Sequence, residues 1–152
     1  MIGWRALFRS LAADWRGTAA IETALVAPIL VSLALGTFDA GSMVARQSEL
    51  QTATAEAAAI VRAKPPTTAD ERTTVRDIVA LSANVPSGNV TVTEIYRCGT
   101  ATSYVTTNNC SSGTQVSTYI RVIVTATYSP TWTNFGLGSA ISYNVNRVVQ
   151  IS

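Results

Sequence analysis

The sequence predicts an α+β protein: a long N-terminal helix, a second short helix and a small antiparallel sheet of about three strands. Three observations carry this. Residues 18–38 form an apolar run with a single charge, Glu22. Beyond it Met43, Leu50 and Ala57 recur at spacings of seven, with Gln47, Thr54 and Val61 between them. From Val90 onward the composition turns to alternating β-branched and aromatic residues, which favour pleated, half-buried strands.

Each element has a local reason. Residues 1–17 interleave Trp4, Leu7, Phe8, Leu11 and Trp15 with Arg5, Arg9 and Arg16. This pattern fits either a short amphipathic helix on a membrane surface or a plain basic leader. At the helical rise, residues 18–38 span about 31 Å, close to the hydrocarbon thickness of a bilayer. No break follows, and the alanine-rich stretch 53–59 favours helix, so one helix is expected over 18–63. Its first part, 18–38, lies in lipid, and its extension, 39–63, is amphipathic with a small-residue seam. Pro65-Pro66 must stop it, because a proline disfavours α at the preceding residue and has no N–H to donate.

Thr68-Ala-Asp-Glu71 is a capping-box pattern. It opens a second helix over 69–83 with Val75, Ile78, Val79 and Leu81 or Ser82 as its apolar stripe. Pro86-Ser-Gly88-Asn89 marks a turn. Strands are expected at 90–96, 115–128 and 142–151. In the middle strand Val116, Thr118, Ile120, Val122, Val124 and Ala126 face the core, and Tyr119, Arg121, Ile123, Thr125 and Thr127 face away. The organisation is therefore a basic leader (1–17), a long helix (18–63) and an extracytoplasmic α+β domain (64–152).

Composition narrows the function. The chain has 152 residues, 13% of them charged, no histidine and a net charge of +2. That charge is too small for a nucleic-acid footprint. Without histidine the commonest general base and metal ligand are missing, so neither an enzyme, a metal site nor a cofactor is expected. Asp70, Glu71 and Asp77 are read as helix capping and dipole partners, Glu94 with Arg97 as a surface pair. Tyr128, Trp132 and Phe135 are expected as a lid on the small core, with an exposed patch for adhesion or docking as the alternative. Cys98 and Cys110 are the only cysteines. In an oxidising compartment they form a disulfide worth roughly 3 kcal/mol by loop entropy; two free thiols are the alternative.

The charge distribution gives an orientation. Arg5, Arg9 and Arg16 outweigh Asp14 before Gly17, while basic and acidic side chains balance after it. The positive-inside rule then places the N-terminus in the cytoplasm and the C-terminal domain outside. A carboxylate such as Glu22 inside a span costs about 2.5–3.5 kcal/mol or more. A cleaved secretory signal has a shorter apolar run and a small residue where Phe38 stands. An uncleaved single-pass envelope anchor with an extracytoplasmic binding domain accounts for the length but not for Glu22.

Residues 16–62 resemble the TadE-like family, the pseudopilins of the tight-adherence (Flp) pilus machinery. The residues that carry this are Arg16-Gly-Thr-Ala-Ala-Ile-Glu-Thr-Ala-Leu-Val-Ala-Pro-Ile-Leu, then Gly36-Thr-Phe-Asp-Ala-Gly41, Ala45-Arg46-Gln47 and the alanine-rich stretch. Thr23 stands where family members usually carry an aromatic, unlike the Glu-Tyr pair of the major Flp pilin. The resemblance implies a bacterial inner-membrane protein processed by a prepilin peptidase between Gly17 and Thr18, acting in assembly or initiation of a pilus. It implies Glu22 as the partner of a neighbouring subunit's new α-ammonium, and other pilins and the lipid bilayer as partners. Pro28 is then either a helix hinge or a tolerated membrane-helix kink. Asp39 is expected at the outer membrane boundary, and Arg46 in solvent or among headgroups.

Overall fold

The computed structural model describes residues 15–152; the proposed amphipathic helix of the leader lies largely outside the described residues. Helix α1, Trp15–Ala63, is followed by α2, Ala69–Ser82. Three strands complete the chain: β1, Val90–Cys98, β2, Val116–Tyr128, and β3, Ile141–Gln150. The architecture is α+β. The chain divides into two units, residues 1–41 and 42–152, so the latter part of α1 belongs to the same unit as the sheet.

In the unit 1–41, side chains 19–35 are all exposed. The helix is long and apolar enough to cross a membrane. Its backbone satisfies itself, as a span must. Hydroxyls in it turn inward: Thr23 Oγ1 donates to the Ala19 carbonyl at 2.8 Å and Ser32 Oγ to that of Pro28 at 2.8 Å. Such back-bonding hides a polar group in the groove of its own helix.

In the unit 42–152, one face of α1 packs into a core. Leu50, Ala53, Thr54, Ala57, Ala58 and Val61 are buried there, the spacing of an apolar stripe on a helix. Gln47, expected in this seam, is exposed; the buried stripe begins one turn later. Thr54, the one polar member, donates to the Leu50 and Gln51 carbonyls at 3.0 and 2.9 Å. Its hydroxyl therefore enters the core without a desolvation penalty.

Helix α1 stops at Ala63, just before Pro65-Pro66 as expected. Helix α2 opens with a full capping box. Thr68 Oγ1 accepts from the Glu71 amide at 3.2 Å, and Glu71 Oε2 accepts from the amides of Thr68 and Thr67 at 3.2 and 2.9 Å. Its C-terminus closes in a Schellman motif. Asn84 is left-handed (φ 48°), its amide reaches the Leu81 carbonyl at 3.2 Å, and the Val85 amide reaches that of Ala80 at 3.0 Å. Asparagine is the residue that substitutes for glycine in this role.

The buried side of α2 is Val75, Val79, Ala80 and Ala83. Ile78 and Leu81, expected in the stripe, are exposed, Leu81 by 83%. Val75, Val79, Ala80 and the C-cap Ala83 join the core cluster that also holds Ala53, Ala57 and Ala58 of α1. Two polar ties fix that pairing. Arg46 Nη2 donates to the Asn84 carbonyl at 3.0 Å while its other nitrogen pairs with Glu49, and Ser82 Oγ donates to Glu56 at 2.8 Å. Arg46 is thus a structural clamp and not a solvated side chain.

The sheet is an antiparallel meander of order β1-β2-β3. Val92 sits opposite Val122, and Ile120 opposite Val149. Ile120, Val122, Val124 and Ala126 are buried against the helices, the inward face that alternation in β2 predicts. Glu94 does not pair with Arg97: residues three apart in a strand point to opposite faces. Glu94 instead reaches Arg72 of α2 at 3.3 Å.

The cap is testable. Replacing Thr68 with Ala should lower stability by about 1 kcal/mol, read by urea denaturation of the full chain. The three hydrogen-bond donors of Thr68 and Thr67 hold the Glu71 carboxyl down to about 2, from 4.5. Since the folded value lies below the unfolded one, its contribution is complete above the ordinary carboxylate range and is lost as pH falls towards 2. Glu71→Gln should flatten the stability profile between those limits, and an unchanged profile would contradict the assignment.

Candidate functional site

The sequence concentrates its unusual chemistry at the start of α1. Gly17 and Thr18 lie in the first turn of the helix as described, Trp15–Ala63. Glu22 follows one turn after Thr18, on an exposed and otherwise apolar surface that includes Ile21, Leu25 and Val26. No cation pairs with Glu22 among the described residues. Glu22 lies seven residues into α1, beyond the first turn where the helix dipole favours a carboxylate, so the dipole does not offset the cost of a charge in hydrocarbon. What this surface can do is meet another apolar surface that brings a positive charge.

Pro28 lies inside α1, and the helix continues through it. Proline lacks the amide that the Ala24 carbonyl would otherwise accept, so the backbone is weakest here. Asp39 is only 1% exposed and is not without a partner.

A second cluster, which sequence reasoning missed, lies on the outer face of the sheet. Cys98 and Cys110 are joined in a disulfide, with Cα atoms 5.5 Å apart. The loop they close folds back on β1: the amides and carbonyls of Tyr96 and Val105 exchange hydrogen bonds of 2.8 and 2.9 Å. This carries Tyr104 over β2, where its ring meets that of Tyr119 edge-on at 5.1 Å. Arg97 stacks over Tyr119 at 5.3 Å and Arg121 over Tyr104 at 5.7 Å. Each guanidinium is thereby held by a ring quadrupole in place of a carboxylate. Tyr119 and Ile95 are buried under this cover. The signal available was the placement of both arginines and Tyr119 at odd positions of paired strands, which puts them on one face.

Other grooves offer less chemistry. One of about 330 Å³ is lined by Ala69, Arg72, Thr73, Arg76, Val90, Thr91 and Val92. Its arginines are already paired, Arg72 with Glu94 and Arg76 with Asp77. The Asp70-Glu71 cluster is accounted for by the helix cap. Burial pushes the Tyr96 phenol above its usual range, and the neighbouring Glu94 adds to this, so it stays neutral and ill-suited to accept a proton.

Among known proteins, residues 17–59 match the family model described as TadE-like protein. The match starts at Gly17 and takes in Glu22, Pro28, Asp39 and Arg46, in agreement with the resemblance read from the sequence. It implies a membrane protein associated with the tight-adherence pilus. No curated protein and no solved structure matches the chain.

The disulfide cover is testable. Cys98→Ser with Cys110→Ser should lower stability by roughly 3 kcal/mol in urea melts and raise tyrosine accessibility to a neutral quencher. Equal accessibility in both forms would show that the loop does not depend on the bond.

Proposed function

We propose that residues 1–17 are a leader removed by a prepilin peptidase between Gly17 and Thr18, and that the mature chain acts in assembly or initiation of a Flp-type pilus. The observation that carries this reading is Glu22: one carboxylate on an exposed apolar helix, with no cation beside it among the described residues. Cleavage after Gly17 would create an α-ammonium at Thr18, four residues away along the same helix. In a bundle of such helices the carboxylate of one subunit neutralises the ammonium of the next. Two charges that are each expensive in lipid then become one register-setting contact.

The remaining features have places in this scheme. Glycine before the cut leaves the scissile backbone accessible to a membrane protease. Pro28 gives the helix one point where it bends as it leaves lipid for a filament. The basic leader holds the N-terminus in the cytoplasm until it is removed. The unit 42–152 stays outside and presents the surfaces that meet other pilus components. The role is structural, and the family match supports a pilus-associated membrane protein over an uncleaved binding module.

N-terminal sequencing of the mature protein should begin at Thr18; a mature protein beginning at Met1 would overturn the cleavage. Gly17→Leu should abolish the shorter band on a gel. Glu22→Ala should insert and be processed normally yet reduce piliation on the order of a hundredfold, the factor that corresponds to one unpaired charge in lipid. Wild-type piliation with that variant would remove the pairing role.

A further inference from the structure

The β2–β3 connection is an uncharged loop that holds large apolar side chains in solvent. No Asp, Glu, Lys or Arg occurs anywhere in residues 122–146. The loop begins with a 3-10 turn, Thr131–Phe135, closed by Gly136 at φ 73°. Gly138, also at φ 73°, lies against the Trp132 indole, where an added Cβ would stand 3.3 Å from Nε1. The indole is thus seated on the loop's own backbone, and Phe135, expected in a lid over the core, is exposed. Phe135 and Leu137 project outward, 70% and 64% exposed.

The fold fixes where this loop springs from. Tyr143, three residues after the loop ends at Ala140, pairs with Ala126 across the sheet. Its phenol donates to the backbone carbonyl of Met43 at 3.2 Å. Met43 follows Phe38, the last residue of the apolar run, by about 7 Å of helix. Within residues 42–152 one hydrogen bond therefore ties the loop's end of the sheet to Met43, five residues along the chain from Phe38.

We propose that residues 130–140 seat Phe135 and Leu137 in the interfacial layer of the same bilayer, with Trp132 at the headgroup level. The partner of this surface is a lipid surface. This inference rests on residues 18–38 being a membrane span. Three properties favour lipid as occupant. Aromatic side chains with one polar atom prefer the interface. The absence of charge removes the desolvation penalty of entering it. The loop's exposed polar side chains, Asn134 and Ser139, suit headgroup hydrogen bonds. The unit 42–152 thereby has a lipid attachment of its own, besides the covalent one through α1.

The test uses the full chain with Trp4→Phe and Trp15→Phe, leaving Trp132 as the sole tryptophan, in phosphatidylcholine vesicles. Nitroxide-labelled lipids carry the label either near the headgroup or near the chain end. The shallow label should quench Trp132 emission by roughly twofold and more than the deep label does. Adding Phe135→Ser and Leu137→Ser, both at exposed positions, should abolish that quenching. A parallel protein with Trp132→Phe and Leu30→Trp reports the span and should be quenched by the deep label. Quenching at Leu30→Trp but not at Trp132 overturns the loop inference and leaves the span standing. Absence of quenching at both positions overturns both readings.

Discussion

Helix α1 must satisfy two different surroundings with one backbone, and the rest of the molecule follows from how its side chains do so. A helix closes its own hydrogen bonds, so only its surface distinguishes lipid from water and from a protein core. Over residues 19–35 that surface is apolar but for Glu22 and two back-bonded hydroxyls, and exposed throughout. Over residues 50–61 it narrows to one buried stripe, Leu50, Ala53, Thr54, Ala57, Ala58 and Val61. No described residue of its own unit covers the first surface. The second organises the outer unit by offering a flat, small-residue face on which α2 and the sheet can close.

The unit 42–152 is small, and it is held by several modest devices in addition to its core. The Arg46 and Glu56 ties lock α1 to the end of α2, where the Schellman turn has left the Asn84 carbonyl free to accept. The capping box fixes the other end of α2. The disulfide loop covers the far face of the sheet and buries Tyr119 with two arginines stacked on tyrosine rings. Such stacking lets a strand carry positive charge on a half-covered face without a carboxylate partner.

What was legible in the sequence was what local chemistry decides. Pro65-Pro66 ended α1, Thr68 with Glu71 opened α2, and alternation from Ile120 to Ala126 gave both the strand and its inward face. What was not legible depended on docking. Ile78 and Leu81 look like core residues on any helical wheel, yet the helix buries Val75, Val79 and Ala80 instead. Arg46 could be placed only once Asn84 was known to end α2 in a left-handed turn. Tyr104 sits in a polar loop, and only the Tyr96–Val105 bridge brings it over β2. The segment 17–59 was readable as TadE-like because its signature is linear: a glycine, a glutamate and an apolar run at fixed spacing along one helix.

The proposed assembly contact contains a competition that the helix itself sets. Thr18 and Glu22 are four residues apart and share a face, the spacing at which side chains on one helix meet. After cleavage the α-ammonium of a chain has two candidate partners, its own glutamate and that of a neighbour, and only the second joins subunits. The direct measurement is a solid-state NMR distance in filaments mixed from two batches of protein. One batch carries ¹⁵N at the Thr18 α-amine, the other ¹³C at the Glu22 carboxyl. The proposed pairing predicts dephasing that corresponds to roughly 4 Å between the two labels, which can arise only between subunits. Absence of dephasing in the mixed filament, with strong dephasing when both labels are on one chain, would contradict it.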